Sequence, residues 1–457
     1  PPGRGDLMNE VNKFQYIYIP VCLFLLFSEL LSGQTYTNSP YSRFGLGDLE
    51  QIGFGRNAAL GGISIGMRNP NYIDYINPAS YAVRDSMSFL FEFGLTGKSS
   101  KLATNDDLSN TVNDFNFSHL AIAFPISKKI GASFGIVPYS SMSYKVSQQL
   151  REGDPDYDTS IGDIDYLFSG TGGIHHFFMG TACKIGKNLS LGVNLSYLFG
   201  AIDRNRSITF LDSINLQIRP GIYNTRISEK IIVGDLNLNF GIQYTAFIKN
   251  DLEFTIGGIF DNESIINAEN DIYKENILFN VGGGTVRDTL EYTTGIKETI
   301  LLPQNMGAGF TFKKGKTFLI GVDYYSQNWS EALFLGKTDS LVNSNSWHFG
   351  MEFTPKPNAL RNYLNWIHYR IGGHYTNTYL QVNGEQLKDF GISFGLGIPI
   401  STMRPDLQTK MKRSTFNIAV ELGQRGTYDN NLIKEKYAIL SFSLTLYDFW
   451  FIKRKFD

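Results

Sequence analysis

The chain has 457 residues, a formal net charge of −2, 14% aromatic residues, 46 glycines and two cysteines. A near-neutral balance with no long basic cluster before the extreme C-terminus gives no ground for a nucleic-acid partner. Tyrosine and phenylalanine (25 and 35) far outnumber tryptophan (4). That bias suits lipid-facing strands with aromatic girdles, and the absence of a Pro/Ser-rich linker or low-complexity run predicts one large all-β domain.

From the N-terminus, Tyr16 to Phe27 is a run of about a dozen mostly apolar residues, followed by the small pair Ser32-Gly33 and then Gln34. Such a run is too short to span a bilayer and suits a signal-peptide core, so residues 1–33 are expected to be a leader removed near Gly33. Met8 can serve as the true start, and the Arg4-Gly5-Asp6 triplet upstream of it is a chance occurrence in a discarded leader. Cleavage removes Cys22 and leaves Cys183 alone, so no intramolecular disulfide can form. A barrel closed by backbone hydrogen bonds supplies the missing constraint.

Ser39 to Tyr81 is crowded with glycine, asparagine and proline and holds neither a helical nor a strand period for long. It is expected to be a plug, with residues 34–85 forming a hatch in the periplasmic half of the lumen and residues 86–457 forming the wall around it.

The wall is legible as alternation. Leu189, Leu191, Val193, Leu195, Tyr197 and Phe199 alternate with Ser190, Gly192, Asn194 and Ser196; Leu238, Phe240, Ile242 and Tyr244 alternate with Asn237, Asn239 and Gln243; Leu440, Phe442, Leu444 and Leu446 alternate with Ser441, Ser443 and Thr445. Segments of this kind, longer than ordinary soluble strands, predict transmembrane strands. Fourteen are expected, near 86–97, 116–127, 130–147, 174–186, 189–202, 230–248, 251–261, 303–313, 316–327, 345–355, 365–377, 388–400, 414–424 and 435–448. An even number returns both chain ends to one side, here the periplasm. Ser127-Lys128-Lys129, Gly186-Lys187-Asn188, Lys249-Asn250 and Lys314-Gly315 are tight turns, whereas 98–115, 148–173, 203–229, 262–302 and 328–344 are expected to be long outer loops. Only 401–413 breaks this alternation of short and long.

Charged and imidazole side chains on the polar face of their strands point to the lumen, because a charge on the lipid face would cost about 2 to 4 kcal/mol at mid-bilayer. These are Glu92, His119, Lys184, Glu253, Asp323, Glu352, His368, Arg370, His374 and Glu421. Each either hydrogen-bonds to the plug and water or contacts a ligand directly. In the third strand, Phe134-Gly135-Ile136-Val137-Pro138-Tyr139-Ser140, proline cannot donate to the ladder and so marks a bulge or a gap.

With the export signal, the glycine-rich leader, Asn77-Pro78-Ala79 just before strand one and fourteen strands, the chain resembles the FadL-type outer-membrane transporters of long-chain fatty acids and other hydrophobic compounds. The resemblance implies that Asn77, Pro78 and Ala79 are the hatch motif; on their own they are also an ordinary turn initiator. It further implies a lateral exit beside Gly135, Pro138, Tyr139 and Ser140. The opening Ser39-Pro40-Tyr41-Ser42-Arg43-Phe44-Gly45 and the basic close Trp450 to Asp457 look like a Bacteroidota branch of such barrels. Some barrels of that shape are accessory subunits of type IX secretion or outer-membrane assembly complexes.

No catalytic constellation is present. His175-His176 places its rings on opposite strand faces, no cysteine pair has metal-ligand spacing, and neither a nucleophile elbow nor a P-loop occurs. Gly282-Gly283-Gly284 falls in an outer loop, as a loop tip rather than a phosphate cradle. The expected protein is a non-enzymatic barrel of the Gram-negative outer membrane without cofactor or metal. It contacts membrane lipid and either passes small hydrophobic molecules such as long-chain fatty acids or serves as a non-transporting subunit of an envelope complex.

Overall fold

The computed structural model describes residues 39–449 apart from 51–52, 107, 213–216, 249–250, 281–283, 339, 358–361 and 403–410. The expectations for the leader, for Cys22, for the Lys249-Asn250 turn, for Gly282 and Gly283, for most of 401–413 and for the basic tail from Trp450 lie outside those residues. Among the described residues the long strands form one closed antiparallel barrel of fourteen. They are β1 (Ser88–Ala103), β2 (Ser109–Pro125), β3 (Ile130–Leu150), β4 (Asp163–Ile185), β5 (Leu189–Leu211), β6 (Tyr223–Ile248), β7 (Leu252–Asp261), β8 (Asn305–Lys314), β9 (Phe318–Gln327), β10 (Ser344–Phe353), β11 (His368–Val382), β12 (Glu385–Thr402), β13 (Met411–Arg425) and β14 (Lys434–Phe449). Closure is made by β14 on β1, from Lys434↔Ala103 to Phe449↔Ser88.

The period-2 pattern has its expected consequence. Phe240, Ile242, Phe310, Phe349, Ile392, Phe394 and Leu422 stand exposed on the outer face, with Tyr197, Trp347 and Tyr375 among the aromatics there. Their strand neighbours Ser190, Gln243, Thr311, Ser393, Asn417 and Ser443 are buried inside. A wall apolar outside and polar inside is stable only with hydrocarbon around it.

The two ends differ, though not as the loop lengths predict. Stretches 98–115, 148–173 and 203–229 are mostly strand, so the true links shrink to 104–108, 151–162 and 212–222. Once a strand leaves the bilayer both of its faces meet water, the alternation fades, and sequence patterning no longer marks it. The wall is lopsided as a result. β3, β4, β5 and β6 have 21, 23, 23 and 26 residues, whereas β7, β8, β9 and β10 have 10 each, which already suffices to cross.

The expected loop 262–302 is a hairpin, Ser264–Phe279 against Thr285–Leu302. It rises where β7 ends. The lower half of β6 pairs with β7 (Asn239↔Asp261 to Ile248↔Leu252), and its upper half pairs with the first hairpin strand (Val233↔Ala268 to Tyr223↔Leu278). β7 and β8 pair directly beneath the hairpin, up to Asp261↔Asn305.

The described residues of 39–87 run inside the barrel from end to end. Ser39 and Tyr41 meet Glu435 and Ile433 at the loop end, whereas Arg68 reaches Asn188 and Thr245 beside the tight turns. The segment therefore spans the lumen, and the expected confinement to one half is corrected. The described chain start and the end of β14 lie at opposite ends of the wall.

Candidate functional site

Small residues let the inner segment lie directly on the wall. A Cβ at Gly192 would land on the Pro78 backbone, at Gly257 on the Ile65 carbonyl, at Gly350 on the Leu60 carbonyl and at Gly372 on the Gly61 nitrogen. Among its described residues regular structure is confined to two 3-10 turns (Pro40–Arg43 and Pro78–Val83), one short helical turn (Gly55–Ala58) and the two-residue strand Asp48–Leu49, so much of the segment must find partners for its backbone among wall side chains. It does so at several heights. Asp323 accepts from the Ser64 and Ile65 N–H groups at 2.5 and 2.7 Å. The Ser393 hydroxyl accepts from the Gly61 N–H at 2.9 Å, and His348 Nδ1 lies 2.6 Å from the Gly61 carbonyl. The Gln243 amide donates to the carbonyls of Ile65 and Met67.

Asn77 caps the 3-10 turn by accepting from the Ala79 N–H, and its amide donates to the Ile65, Ile242 and Gly258 carbonyls. It thus joins the segment to itself and to β6 and β7, while Pro78 and Ala79 are buried beside it. Glu92 accepts from the Ile73 N–H at 3.4 Å.

The strongest tie is electrostatic. Glu352 on β10 takes Arg56 of the segment at 3.1 Å and Arg370 of β11 at 2.7 Å, with both arginine side chains at most 2% exposed. Tyr72 completes the knot: the Arg56 guanidinium lies over its ring at 4.4 Å, and its hydroxyl accepts from Arg370 at 3.2 Å. A second knot sits at the loop end, where Arg425 forks onto Asp48 and also reaches Glu435 and Ser39. Sequence reasoning missed this knot, since Arg425 closes a strand and Asp48 lies in an aperiodic stretch.

The other lumen residues divide by height. His374 stands beside Asp389 and Glu421, 3.6 and 3.9 Å away, on the open side of the segment rather than at the Glu352 knot. His368 bonds to Thr354, and Glu253 pairs with Lys313 at the turn end. His119 is stacked on Phe54 at 4.0 Å. Within the segment, Asp74 accepts from Ser64 and Asn57, and burial raises its carboxyl above the usual range. Burial lowers the Arg84 guanidinium to about 10.

Beside the segment lies a cavity of about 420 Å³. Its walls include Glu50, Tyr75, Asp261, Tyr325, His374 and Glu421. It also reaches a defect in the barrel. Among the described residues the β2–β3 ladder runs only from Pro125↔Gly131 to Leu120↔Ile136, although both strands continue well past it. Pro138 lies two residues beyond, at a bulge in the β3–β4 ladder between Pro138 and Ser140. Asp48 and Leu49 then take up the free edge of β3, opposite Ser141 and Ser140, and the Glu50 N–H donates to the Tyr139 carbonyl. Gly135 lies in the last intact part of the ladder, opposite Ala121. Phe117, Ser118, His119, Val137, Pro138 and Tyr139 line the cavity from the two sides of this seam.

A family model described as BamG matches residues 15–457. No curated protein matches the chain. Among solved structures, the toluene transporter TbuX of Ralstonia pickettii is similar at 13% identity and a TM-score of 0.53, covering 87% of this chain and 98% of its own. The toluene transporter TodX of Pseudomonas putida is similar at 12% identity and a TM-score of 0.52, covering 88% and 99%. A FadL homologue of Pseudomonas aeruginosa follows at 11%, 0.52, 89% and 99%. At such identities the likeness is one of fold, and it is the fold expected from the FadL-type resemblance.

Proposed function

Because the chain belongs to the BamG family and its wall rises far above a bilayer on one side, we propose that it is a non-transporting barrel subunit of an outer-membrane complex for protein assembly or secretion. The single observation that carries this reading is the one-sided sheet of β3–β6 crowned by the hairpin. β6 has about 15 residues more than a crossing needs, roughly 50 Å of strand at about 3.3 Å per residue. The second hairpin strand is exposed on both faces over most of its length, with Val286, Leu290 and Tyr292 in the open. A diffusion channel has no need of such a surface; a subunit with protein neighbours does. In this reading residues 34–85 are a hatch held as a fixed stopper, the loop end is extracellular, and no catalytic step takes place.

The β2–β3 seam favours a second reading, passage of small hydrophobic or amphipathic molecules such as fatty acids from the cavity sideways into the bilayer, with Gly135, Pro138, Tyr139 and Ser140 framing the exit and Asn77-Pro78-Ala79 holding the hatch beside it. One variant separates the two. Since Asp261 already pairs with Asn305, a short turn can replace 263–303 without breaking the ladder. The subunit reading expects the shortened barrel to fold, shown by heat-modifiable gel migration, and to lose its co-purifying proteins. Undiminished partners together with lost fatty-acid uptake into vesicles would overturn it.

A further inference from the structure

The cavity is chemically unlike a pocket for hydrocarbon. Six carboxylates line it (Asp48, Glu50, Asp114, Asp261, Asp389 and Glu421) against two permanent cations, Lys98 and Arg425. Arg425 is spent on Asp48 and Glu435. His374 serves Asp389 and Glu421. Of the three that remain, Asp114 lies opposite Lys98 in the β1–β2 ladder, and Glu50 and Asp261 stand beside a group of aromatic rings. Asp261 is held by the amides of Asn239 and Asn305, which are neutral donors, so its charge is solvated but not balanced. Burial raises the Glu50 carboxyl, against a hydrogen bond with Ser141 and the charge of Lys98.

Tyr75, Tyr139 and Tyr325 line the same space. Tyr139 is stacked on His176 at 4.7 Å, and Tyr75 on Phe54 at 5.1 Å and on Phe178 at 5.5 Å, so these rings are held in place at the cavity wall. Tyr75, Glu50 and Asp261 face this one space, and burial followed by the two carboxylate charges raises the Tyr75 hydroxyl. Tyr325 is 4% exposed, yet among the described residues its hydroxyl has no hydrogen-bond partner. A buried hydroxyl without a partner is costly unless something arrives to meet it. Rings with negative faces together with unbalanced carboxylates form the recognition set for an organic ammonium ion. Among the described residues no group of three or more His, Cys, Asp or Glu side chains is placed to hold a metal ion, which sets the site apart from a metal centre.

We propose that the lumen cavity binds an alkylammonium group, with Asp261 and Glu50 as its counter-charges, the rings of Tyr75, Tyr139 and Tyr325 as its walls, and the Tyr325 hydroxyl as a hydrogen-bond partner. The ammonium can be that of a free amine or of an aminolipid headgroup, since the seam beside Pro138 and Tyr139 borders both the cavity and the lipid-facing wall. This site does not depend on the subunit reading.

The test uses the full-length barrel in nanodiscs of phosphatidylglycerol, with hexylammonium titrated by calorimetry and hexanol and hexanoate as size-matched controls. Hexylammonium should bind, and the controls should bind at least about tenfold more weakly. Asp261→Asn, which keeps the side-chain shape, should reduce hexylammonium affinity by about tenfold or more, and Tyr325→Phe by less. Heat-modifiable migration reports folding; should Asp261→Asn not fold, Glu50→Gln carries the same expectation. Repeating the titration in phosphatidylethanolamine nanodiscs distinguishes the sources. Competition there identifies the headgroup, and an unchanged affinity identifies a free amine. Equal binding of hexanol, or full affinity in both charge-removing variants, would overturn the proposal.

Discussion

Glu352→Gln perturbs the docked segment at its strongest tie while keeping the shape of the side chain. The substitution leaves two guanidinium groups, Arg56 and Arg370, at most 2% exposed and without the carboxylate they share. Neither can lose its proton, and the Gln carbonyl can accept from only one of them well. Removing one partner of a buried ion pair costs about 3 to 5 kcal/mol, and Glu352 itself is only 13% exposed, so little solvent screening softens the loss. The barrel should tolerate this, because its closure rests on strand ladders such as β14 on β1. The cost instead falls on docking of the Gly55–Ala58 turn and the chain after it, whose release equilibrium should rise by about two to nearly four orders of magnitude at about 1.4 kcal/mol per decade. Hydrogen–deuterium exchange of peptides covering 53–67 reads that equilibrium directly. The variant should exchange this stretch much faster, while β10 and β11 keep their protection. Unchanged protection of 53–67 would show that the buried knot does not hold the segment, and the reasoning would fail.

Three further outcomes follow from the same geometry. Gly372→Val should expel the segment around Leu60 and Gly61, since even a Cβ there lands on backbone, whereas Gly384→Ala, at a turn open to solvent, should leave docking intact apart from local backbone strain; proteolytic nicking near residue 60 separates the two. Asn77→Ala removes an amide that serves three carbonyls and should loosen the segment by about 1 to 3 kcal/mol, visible as faster exchange over 63–80 with an unchanged barrel. Burial raises the Asp74 carboxyl, so its contribution to docking is fully present below the ordinary carboxylate pKa and is lost as pH rises through the raised value. Asp74→Asn keeps the acceptor for Ser64 and Asn57 and removes the buried charge; at pH 8 it should dock at least as firmly as the parent, and weaker docking would contradict the sign.

The bilayer decides what sequence patterning can reveal. Within it every strand must put apolar side chains outward, so Leu236 to Tyr244 and Leu189 to Tyr197 announce themselves by period alone. Outside it that demand vanishes, and the upper halves of β4 to β6 and the hairpin read as polar loops. The inner segment is invisible to periodicity for another reason. Its backbone is satisfied by side chains distant in sequence, Asp323 and Gln243 among them, which no local pattern records. Alternation also assigned lumen residues such as Glu421 to a face but not to a height. Glu352 and Arg370 therefore meet Arg56, whereas Glu421 belongs with His374 around the cavity. The glycines that seat the segment, Gly192, Gly257, Gly350 and Gly372, carried a usable signal, because glycine recurs on inward-facing strand positions where no turn requires it.

The central claim is that the tall wall and its hairpin exist for protein neighbours. Photo-crosslinkers placed at Val286 and Tyr292 in cells, followed by gentle solubilisation and mass spectrometry, test it most directly. The account predicts discrete crosslinked adducts and stoichiometric protein partners that disappear when 263–303 is replaced by a short turn. A lone barrel carrying only lipid, with no adduct at either position, would contradict it.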